Sequence, residues 1–348
     1  MGTEKQKTAE KVVAFGELML RLAPPGYGRF VQARSFRASY GGSEANTAVS
    51  LAGFGLDAAF VTKIPENELG QAAINELRAF GVDTSDVVRG GERLGIYFLE
   101  KGASQRPSKV IYDRAGSAIA GALPSDFPWR RILAGAKWLH LSGITPALGP
   151  GPRAACLEAA ETAKELGLTV SLDLNYRRNL WPPEEAGAFL ARLAPYADVG
   201  IANEEDAAVL FGIRAQGSDP SSGTIRAESY RTVAEALAAR FGWSLTAVTL
   251  RSSLSASDNL WAAGLYADGV WRVSASYPIR IVDRVGAGDS FGAGLIYGTI
   301  RGYAMPETLE FAVAASCLKH TIEGDFNLVS VEEVRHLAAG DRSGRVRR

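Results

Sequence analysis

A glycine-rich turn that ends in a carboxylate is the part of this sequence best suited to chemistry. Residues 286–288 read Gly-Ala-Gly and are followed directly by Asp289. The apolar run at 277–282 predicts a strand before the turn, and apolar residues at helical spacing over 291–300 predict a helix after it. Because the first N–H groups of a helix are unpaired and its dipole is positive there, such a turn can hold a phosphate without a side-chain cation. The pattern therefore indicates a site for phosphoryl transfer.

Asp289 has two interpretations at this stage. A carboxylate beside a bound phosphate weakens affinity, but it is well placed to accept a proton from an attacking hydroxyl group. The same side chain could instead cap the helix that follows, as Asp residues often do. The sequence alone leaves both interpretations open.

Two other nucleotide-binding patterns fit this turn poorly. In a dinucleotide fingerprint the third glycine would come one position before Gly292, and an acidic residue would end a second strand about twenty positions on. Glu307 and Glu310 lie near that distance, but in a helical pattern. No G-x-x-x-x-G-K-[ST] motif occurs in the sequence, which argues against a P-loop ATPase.

Composition narrows the class of protein. The 348 residues include 38 Lys and Arg and 38 Asp and Glu, so no overall charge favours nucleic acid or an anionic membrane. Cys156 and Cys317 are the only cysteines and fall in helical patterns, which predicts small core residues in a reducing compartment. With no long apolar run and no signal-peptide core, we expect a cytoplasmic protein. The three histidines show no metal-ligand spacing.

Helical and strand patterns alternate along most of the chain. This alternation predicts a parallel sheet covered by helices on both faces. Strand patterns that mix apolar and polar residues predict a separate, small antiparallel sheet; they lie at 18–22, 36–40, 95–100 and 109–113. Residues 217–223 are predicted to form a polar loop.

Glycines and polar residues recur where predicted strands end, and ligands of parallel sheets bind outside the carboxyl ends of the strands. The segments are Gly-Gly-Ser-Glu-Ala-Asn at 41–46, His-Leu-Ser-Gly-Ile-Thr-Pro at 140–146, Asp-Leu-Asn-Tyr-Arg-Arg at 173–178 and Asn-Glu-Glu-Asp at 203–206. With the turn at 286–289, their order resembles the ribokinase/PfkB carbohydrate kinases over residues 12–331. Within that family they are most similar to 2-keto-3-deoxygluconate (KDG) kinases, which make the 6-phosphate from ATP.

The resemblance implies a fold and a set of site residues. The fold is ribokinase-like: a three-layer α/β/α Rossmann-like domain over 12–331, with a small β-sheet lid from about 18–40 and 93–114 and flexible tails at 1–11 and 340–348. The implied base is Asp289, and the implied anion hole is Gly286, Ala287 and Gly288. The implied sugar contacts are Gly42, Asn46, Tyr97, Tyr112, Arg114 and Arg177. The implied nucleotide contacts are Asn203, Thr249, Arg251, Gly286 and Gly288.

The resemblance also implies Mg²⁺ with ATP. Asp206, which stands where the family has Glu, would organise the magnesium indirectly, through water. A monovalent cation near Asp283 and a homo-oligomer are further expectations. The chain departs from the family at Arg284, a place often held by Thr or Pro, and at 249–253, where the family has a glycine-containing nucleotide loop.

An acid sugar carries its own negative charge, so its pocket should supply cations, and Arg114 and Arg177 are the candidates. Tyr97 and Tyr112 would add rigid faces with hydroxyl donors, unless they are packing residues of their strands. Arg177 could instead form a surface ion pair with Glu184 or Glu185. Rival functions are a PfkB-family kinase of fructose, ribose or 2-keto-3-deoxygalactonate, an NAD(P)-dependent oxidoreductase, and a catalytically silent sugar sensor.

Overall fold

The first strand, β1 (Lys11–Phe15), shows why helices cover both faces of the sheet. Val12 and Ala14 pack into one apolar cluster, and Val13 and Phe15 pack into another. Because successive side chains of a strand point to opposite faces, a continuously apolar strand needs cover on both sides. The computed structural model describes residues 10–203, 205–215, 227–341 and 344, and provides that cover.

Within these residues the central sheet has nine strands and is parallel in its middle. In spatial order they are β14 (Val270–Val273), β13 (Asp258–Ala267), β12 (Leu245–Ser253), β11 (Val199–Ala202), β10 (Thr169–Asp173), β9 (Ala136–Ser142), β1 and β4 (Ala58–Val61), while β15 (Tyr277–Arg280) pairs with β13. Strands from β12 to β4 run parallel, and β13 is antiparallel to β12, β14 and β15. A two-stranded sheet of β5 (Lys63–Ile64) and β6 (Val88–Arg89) lies apart.

The helices form one layer on each face of the sheet. On one face lie α1 (Ser43–Gly53), α2 (Glu68–Ala79), α8 (Ala287–Ile300), α9 (Met305–Lys319) and α10 (Val331–Ala338). On the other lie α3 (Trp129–Ile132), α4 (Pro150–Glu165), α5 (Pro183–Leu193), α6 (Asp206–Phe211) and α7 (Ser229–Phe241). This is the predicted three-layer α/β/α arrangement. Cys156 and Cys317 are buried and unpaired within it, as predicted.

The sequence did not predict β5, β6, β14, α3 or α10. The signal for α10 was present, because Ser330 and Glu333 form a reciprocal capping box at its start. The predicted loop at 217–223 lies outside the described residues, as do residues 1–9 and most of the predicted C-terminal tail. None of the described helices is both long and apolar enough to span a membrane.

A small sheet forms the lid, with β3 (Arg37–Gly41), β2 (Met19–Ala23), β7 (Gly95–Glu100) and β8 (Lys109–Asp113) in that order. The pairs β2–β3 and β7–β8 are antiparallel, as predicted. The central pair β2–β7 is parallel, so the prediction of an entirely antiparallel sheet was wrong. The long segment between β2 and β7, which includes α1, β4 and α2, supplies the crossover that a parallel pair needs.

Candidate active site

A cavity of about 410 Å³ lies between the lid and the carboxyl ends of the parallel strands. Nearly all of the site residues expected from the sequence line it: Gly42, Asn46, Tyr97, Tyr112, Arg114, Arg177, Asn203, Thr249, Arg251, Gly286, Ala287, Gly288 and Asp289. Asp206 does not line the cavity but is buried at the start of α6, behind Asn203. Segments far apart in sequence thus meet at one edge of the sheet.

The turn before α8 requires glycine at its first position. Gly286 is the N-cap residue of α8 with φ of 83°, a left-handed conformation that favours glycine. A Cβ there would also overlap the carbonyl oxygen of Asp325. At Gly288 no described atom outside its own helix and chain neighbours lies within 4 Å of a Cβ position, so the turn is open there. The positive end of the α8 dipole therefore faces a space that an anion can enter.

Both carboxylate oxygens of Asp289 accept hydrogen bonds from α1. Ser43 Oγ donates to Oδ1 at 2.7 Å, and Asn46 Nδ2 donates to Oδ2 at 2.7 Å. Asn175 Nδ2 in turn donates to Ser43 Oγ at 3.0 Å. Burial raises the pKa of Asp289, while the two hydrogen bonds oppose the shift. Within the described part of the chain no side chain caps α8, so Asp289 is oriented by its neighbours on α1 and not by the helix end.

Arg114 is buried against a carboxylate of the same pocket. Its Nε donates to Glu17 Oε2 at 2.8 Å, Nη2 donates to the same oxygen, and Ser117 Oγ donates to Oε1 at 2.7 Å. The guanidinium also lies 5.4 Å from the centre of the Tyr112 ring. Arg114 was predicted to supply positive charge to an acid sugar, but its charge is already paired with that of Glu17.

The two lid tyrosines present different groups to the cavity. Tyr97 is 3% exposed, and its hydroxyl donates to Asp325 at 2.6 Å, so it offers its ring and not a hydroxyl donor. Tyr112 is 42% exposed, and its ring centre lies 6.0 Å from that of Tyr97. The expected hydroxyl contact with substrate is therefore reasonable for Tyr112 and not for Tyr97.

Arg177 is the exposed cation of the site. Its Nη1 donates to the carbonyl oxygen of Tyr176 at 3.1 Å. Among the described residues it forms no ion pair, and Glu185 pairs instead with Arg153 at 2.8 Å. The positive charge of Arg177 lowers the pKa of Asp289, against the larger effect of burial. The alternative interpretation, a surface ion pair with Glu184 or Glu185, is thus absent from the described contacts, and the guanidinium is available to an anion.

Asp173 and Asp206 form an acidic pair beside Asn203. Burial raises the pKa of Asp206 to about 6, and burial followed by the charges of Asp206 and Asp289 raises that of Asp173 well above its ordinary value. Asn203 Oδ1 accepts the backbone N–H of Asp206 at 2.9 Å and fixes the loop. Asp173 belongs to the segment 173–178 at a strand end, but the sequence did not predict a role for it. Its position at a strand end was the available signal.

Asp173 and Asp206 suit a cation that takes most of its ligands from other molecules, such as phosphate and water. Burial raises the pKa of both carboxyl groups, and the charge of Arg177 only partly opposes this, so a divalent ion would stabilise their charged forms. Among the described residues no three His, Cys, Asp or Glu side chains are grouped to hold a metal ion. A magnesium ion here would take most of its oxygen ligands from phosphates and water.

A second pair of arginines lines another part of the cavity. Arg251 follows Thr249 on β12, and Arg284 precedes the glycine turn. Burial and the nearby charge of Arg251 lower the pKa of Arg284, whose Nη2 donates to the carbonyl oxygen of Ala256 at 3.1 Å. Two guanidinium groups that repel each other across a cavity favour an anion between them. The sequence had marked Arg284 as a departure from the family, without a role.

Comparisons with known proteins agree with this geometry. A 2-dehydro-3-deoxygalactonokinase from Haloferax volcanii is 33% identical over 337 residues, which cover 97% of this chain and 99% of the relative. A 2-dehydro-3-deoxygluconokinase from Thermoproteus tenax is 30% identical over 332 residues, with 93% and 92% covered. The crystal structure of a 2-dehydro-3-deoxygluconokinase from Thermotoga maritima is 52% identical, with a TM-score of 0.92 and 95% and 99% covered.

The family comparison covers nearly the whole chain. Residues 9–329 match the model of the pfkB family carbohydrate kinases. That range includes the lid strands, the segments at the strand ends and the turn that ends in Asp289. The chain therefore belongs to the pfkB family of carbohydrate kinases, with the ribokinase-like fold.

Proposed function

We propose that residues 12–331 form a kinase domain that transfers the γ-phosphoryl group of ATP to the 6-hydroxyl of KDG, giving 2-keto-3-deoxy-6-phosphogluconate. The observation that carries the proposal is the Asp289 carboxylate, held by Ser43 and Asn46 at the open N-terminus of α8. The exposed Arg177 guanidinium adds a partner for an acid substrate. The 52% identical structure carries the name of a KDG kinase, since 2-dehydro-3-deoxygluconate is KDG.

Asp289 acts as the general base. Its carboxylate accepts the proton of the sugar 6-hydroxyl as the bond from that oxygen to the γ-phosphorus forms and the bond from phosphorus to the β-phosphate oxygen breaks. Hydrogen bonds from Ser43 and Asn46 fix both oxygens and therefore limit the orientations of the base. Asp289 holds the proton and later releases it to solvent, and ADP leaves with the electron pair of the broken P–O bond.

The turn at residues 286–289, called here the anion turn, and the pair of Arg251 and Arg284 stabilise the negative charge of the phosphoryl group during transfer. Backbone N–H groups of Ala287, Gly288 and Asp289 form the anion hole at the N-terminus of α8. Arg251 and Arg284 contact the phosphates of the nucleotide, together with Thr249 and Asn203. Where the family has a glycine-containing loop, residues 249–253 thus have larger side chains, and Arg251 among them supplies a positive charge.

Asp206 and Asp173 organise magnesium from the side of the sheet. An Mg²⁺ ion bound with ATP would supply positive charge to balance that of the phosphates. Asp206 would help to hold the ion indirectly, through water, and its backbone N–H donates to Asn203 Oδ1. Asp173 provides a second carboxylate next to the first.

On the sugar side, Gly42 and Asn46 lie at the start of α1, and Arg177 receives the carboxylate of the acid sugar. The rings of Tyr97 and Tyr112 cover the sugar and exclude water from the phosphoryl group. Arg114 orients Tyr112 and shares its remaining N–H donors with substrate while paired to Glu17.

The galacto epimer of KDG is a second candidate substrate. The Haloferax volcanii relative, 33% identical over almost the whole chain, is named for that sugar acid. The epimers carry the same carboxylate and the same terminal hydroxyl, so Arg177 and Asp289 would treat them alike.

A phosphotransfer screen tests the proposal. ADP release would be measured with KDG, 2-keto-3-deoxygalactonate, 5-dehydro-2-deoxygluconate, fructose and ribose. We expect a high kcat/KM with KDG and a low value with the neutral sugars fructose and ribose, and the ratio of the values for KDG and its galacto epimer decides between these two substrates. A preparation of Asp289→Asn controls for contaminating kinases. Faster turnover of fructose or ribose would show that the assignment to an acid sugar is wrong.

A further inference from the structure

A buried cluster of charged side chains lies directly behind the anion turn. Arg21 of β2 is 2% exposed, and its Nη1 donates to Asp325 Oδ1 at 2.6 Å, while Nη2 donates to Asp283 Oδ2. Tyr97 donates its hydroxyl to the same Asp325 carboxylate. Strand β2 of the lid is thereby joined to Asp283, which precedes the turn at 286–289, and to Asp325 on the loop that follows α9. The mechanism above assigns no role to Arg21 or to either carboxylate.

Lys319 adds a second buried cation to this cluster. The side chain is fully buried at the end of α9, and its Nζ donates to the carbonyl oxygen of Ile322 at 3.2 Å. Its Cε lies 3.3 Å from the position that a Cβ of Gly286 would take, so the ammonium group lies under the turn. Burial lowers the pKa of Lys319, and the negative charges of Asp283 and Asp325 oppose that shift.

The cluster does not fit the monovalent cation that the family resemblance implies near Asp283. Such an ion needs oxygen atoms that are free to coordinate it. The Asp283 oxygens instead accept N–H groups from Arg21, from Val285 at 3.2 Å and from Gly324 at 3.2 Å. Arg21 already forms ion pairs with both Asp283 and Asp325, and Lys319 lies near the same two carboxylates.

We propose that Arg21 and Lys319 are positioning residues that supply positive charge behind the anion turn from the chain itself, so that turnover needs no monovalent cation. Asp283 and Asp325 are tied to Arg21, and the backbone of Asp325 packs against Gly286. The cluster therefore sets where the N–H groups of the turn point. Removing one buried cation leaves a carboxylate without its partner and lets the turn shift.

The first experiment compares salts on the unchanged enzyme, and its activity arm rests on the proposed kinase function. Initial rates and thermal melting would be measured in potassium, sodium and tetramethylammonium chloride at equal ionic strength. We expect the same kcat in all three, and no rise of Tm specific to potassium, because an ion that binds the native state raises Tm. Potassium-specific activation or stabilisation would overturn the inference.

The melting arm needs no sugar substrate. If no sugar were phosphorylated, the proposed function would fail, while the effect of potassium on Tm would still decide the inference.

The second experiment removes each charge in turn. In Lys319→Ala we expect kcat in tetramethylammonium chloride to fall on the order of tenfold, as for other groups that orient a functional group from behind. Potassium chloride should restore part of that loss and raise Tm, since an ion can then occupy the space beside the carboxylates. Arg21→Lys retains charge but cannot bridge both carboxylates, so kcat should fall with little change in KM.

The matched control is Arg37→Met on the neighbouring lid strand β3. Arg37 pairs with Glu323, two residues from Asp325, but its side chain is 67% exposed. This control should keep its turnover in every salt. Full turnover of both Lys319→Ala and Arg21→Lys in tetramethylammonium would contradict the inference. Should Lys319→Ala fail to fold, Arg21→Lys and the salt comparison still decide it.

Discussion

Asp289 is held by uncharged donors, and no cation is bonded to it within the described structure. The carboxylate is therefore not tied up in an ion pair, which supports its proposed role as the base. Asp289→Asn keeps the shape and the contacts with Ser43 but removes the basic oxygen. We expect kcat to fall about 10²–10⁴-fold, the usual contribution of a general base, with affinities for KDG and ATP retained in calorimetry.

Asp57→Asn, an exposed change at the opposite end of the sheet, is the control for loss of a carboxylate. If Asp289→Asn retained more than about a tenth of normal turnover, the role of base would be contradicted.

Arg177 tests the charge of the substrate. Arg177→Ala removes the exposed guanidinium, and a lost charge-assisted hydrogen bond costs about 1.5–3 kcal/mol, or roughly a 10–100-fold rise in the KM for KDG. The KM for ATP should stay nearly unchanged. Arg178→Ala is the matched control, because Arg178 is also exposed but does not line the cavity. An equal rise in the two variants would contradict a specific contact.

Glu44 links the sugar site to stability through pH. It is 1% exposed and accepts hydrogen bonds from Ser142 at 2.8 Å and Thr145 at 2.6 Å, and burial raises its pKa from 4.5 to about 7. The folded state thus holds this proton more tightly than the unfolded state. Its contribution to stability is fully present below pH 4.5 and is lost as pH rises through about 7.

Glu44→Gln removes that titration. The Tm of the variant relative to the parent should therefore increase as pH rises between 4.5 and about 7. Melting curves of both proteins across that interval measure the difference. A difference that stays constant with pH would show that Glu44 does not titrate in this way.

The two glycines of the turn before α8 have different roles: Gly286 is needed for the backbone conformation, and Gly288 leaves space for the proposed anion. Gly286→Ala puts a Cβ into a left-handed position that overlaps the backbone of Asp325, so unfolding free energy should fall by about 1–3 kcal/mol or more. Gly288→Ala meets open space and should melt normally, but its methyl group enters the anion site and should raise the KM for ATP. Equal Tm values for the two variants would contradict this division.

The sequence predicted those elements whose pattern is local. The residue pattern predicts a helix over 183–193 and a strand over 199–202, and α5 and β11 have those bounds, because periodicity and flanking turns define such elements. The parallel pairing of β2 with β7 was missed, since strand direction depends on partners distant in sequence. The pair of Arg21 and Asp325 spans 304 residues and carries no motif, so only the folded chain could reveal it.

In the whole molecule, the central sheet brings the residues proposed to bind sugar, phosphate and magnesium to a common edge, and the small sheet lies against that edge. Membership of a carbohydrate kinase family disfavours the rival interpretation as an oxidoreductase. The roles of the individual residues stay predictions, although the structure places nearly all of the expected residues around one cavity. Residue type alone did not predict what Arg114 and Tyr97 offer a ligand. Arg114 is paired with Glu17, and the hydroxyl of Tyr97 donates to Asp325.

The lid has a second, outward face that is apolar. Val110 and Tyr112 line the cavity, so by alternation Ile111 points away from it, and it is 54% exposed. Ile111 lies in register with Phe98, whose ring centre is 5.8 Å from that of Phe36, itself 40% exposed. Strand β8 is exposed along its whole length at the edge of the lid sheet. Such an edge and face favour association.

We therefore expect a homo-oligomer, most simply a dimer joined through the outward faces of two lids. Light scattering at micromolar concentration should give twice the chain mass of 37.0 kDa. Ile111→Lys places a charge in the interface and should shift the protein to monomer, while Leu166→Lys, 40% exposed at the end of α4 far from the lid, should not. Because each lid would brace its partner over the sugar, the monomeric variant should also show a raised KM for KDG. A monomeric parent protein would remove the proposal, and a dimer unaffected by Ile111→Lys would place the interface elsewhere.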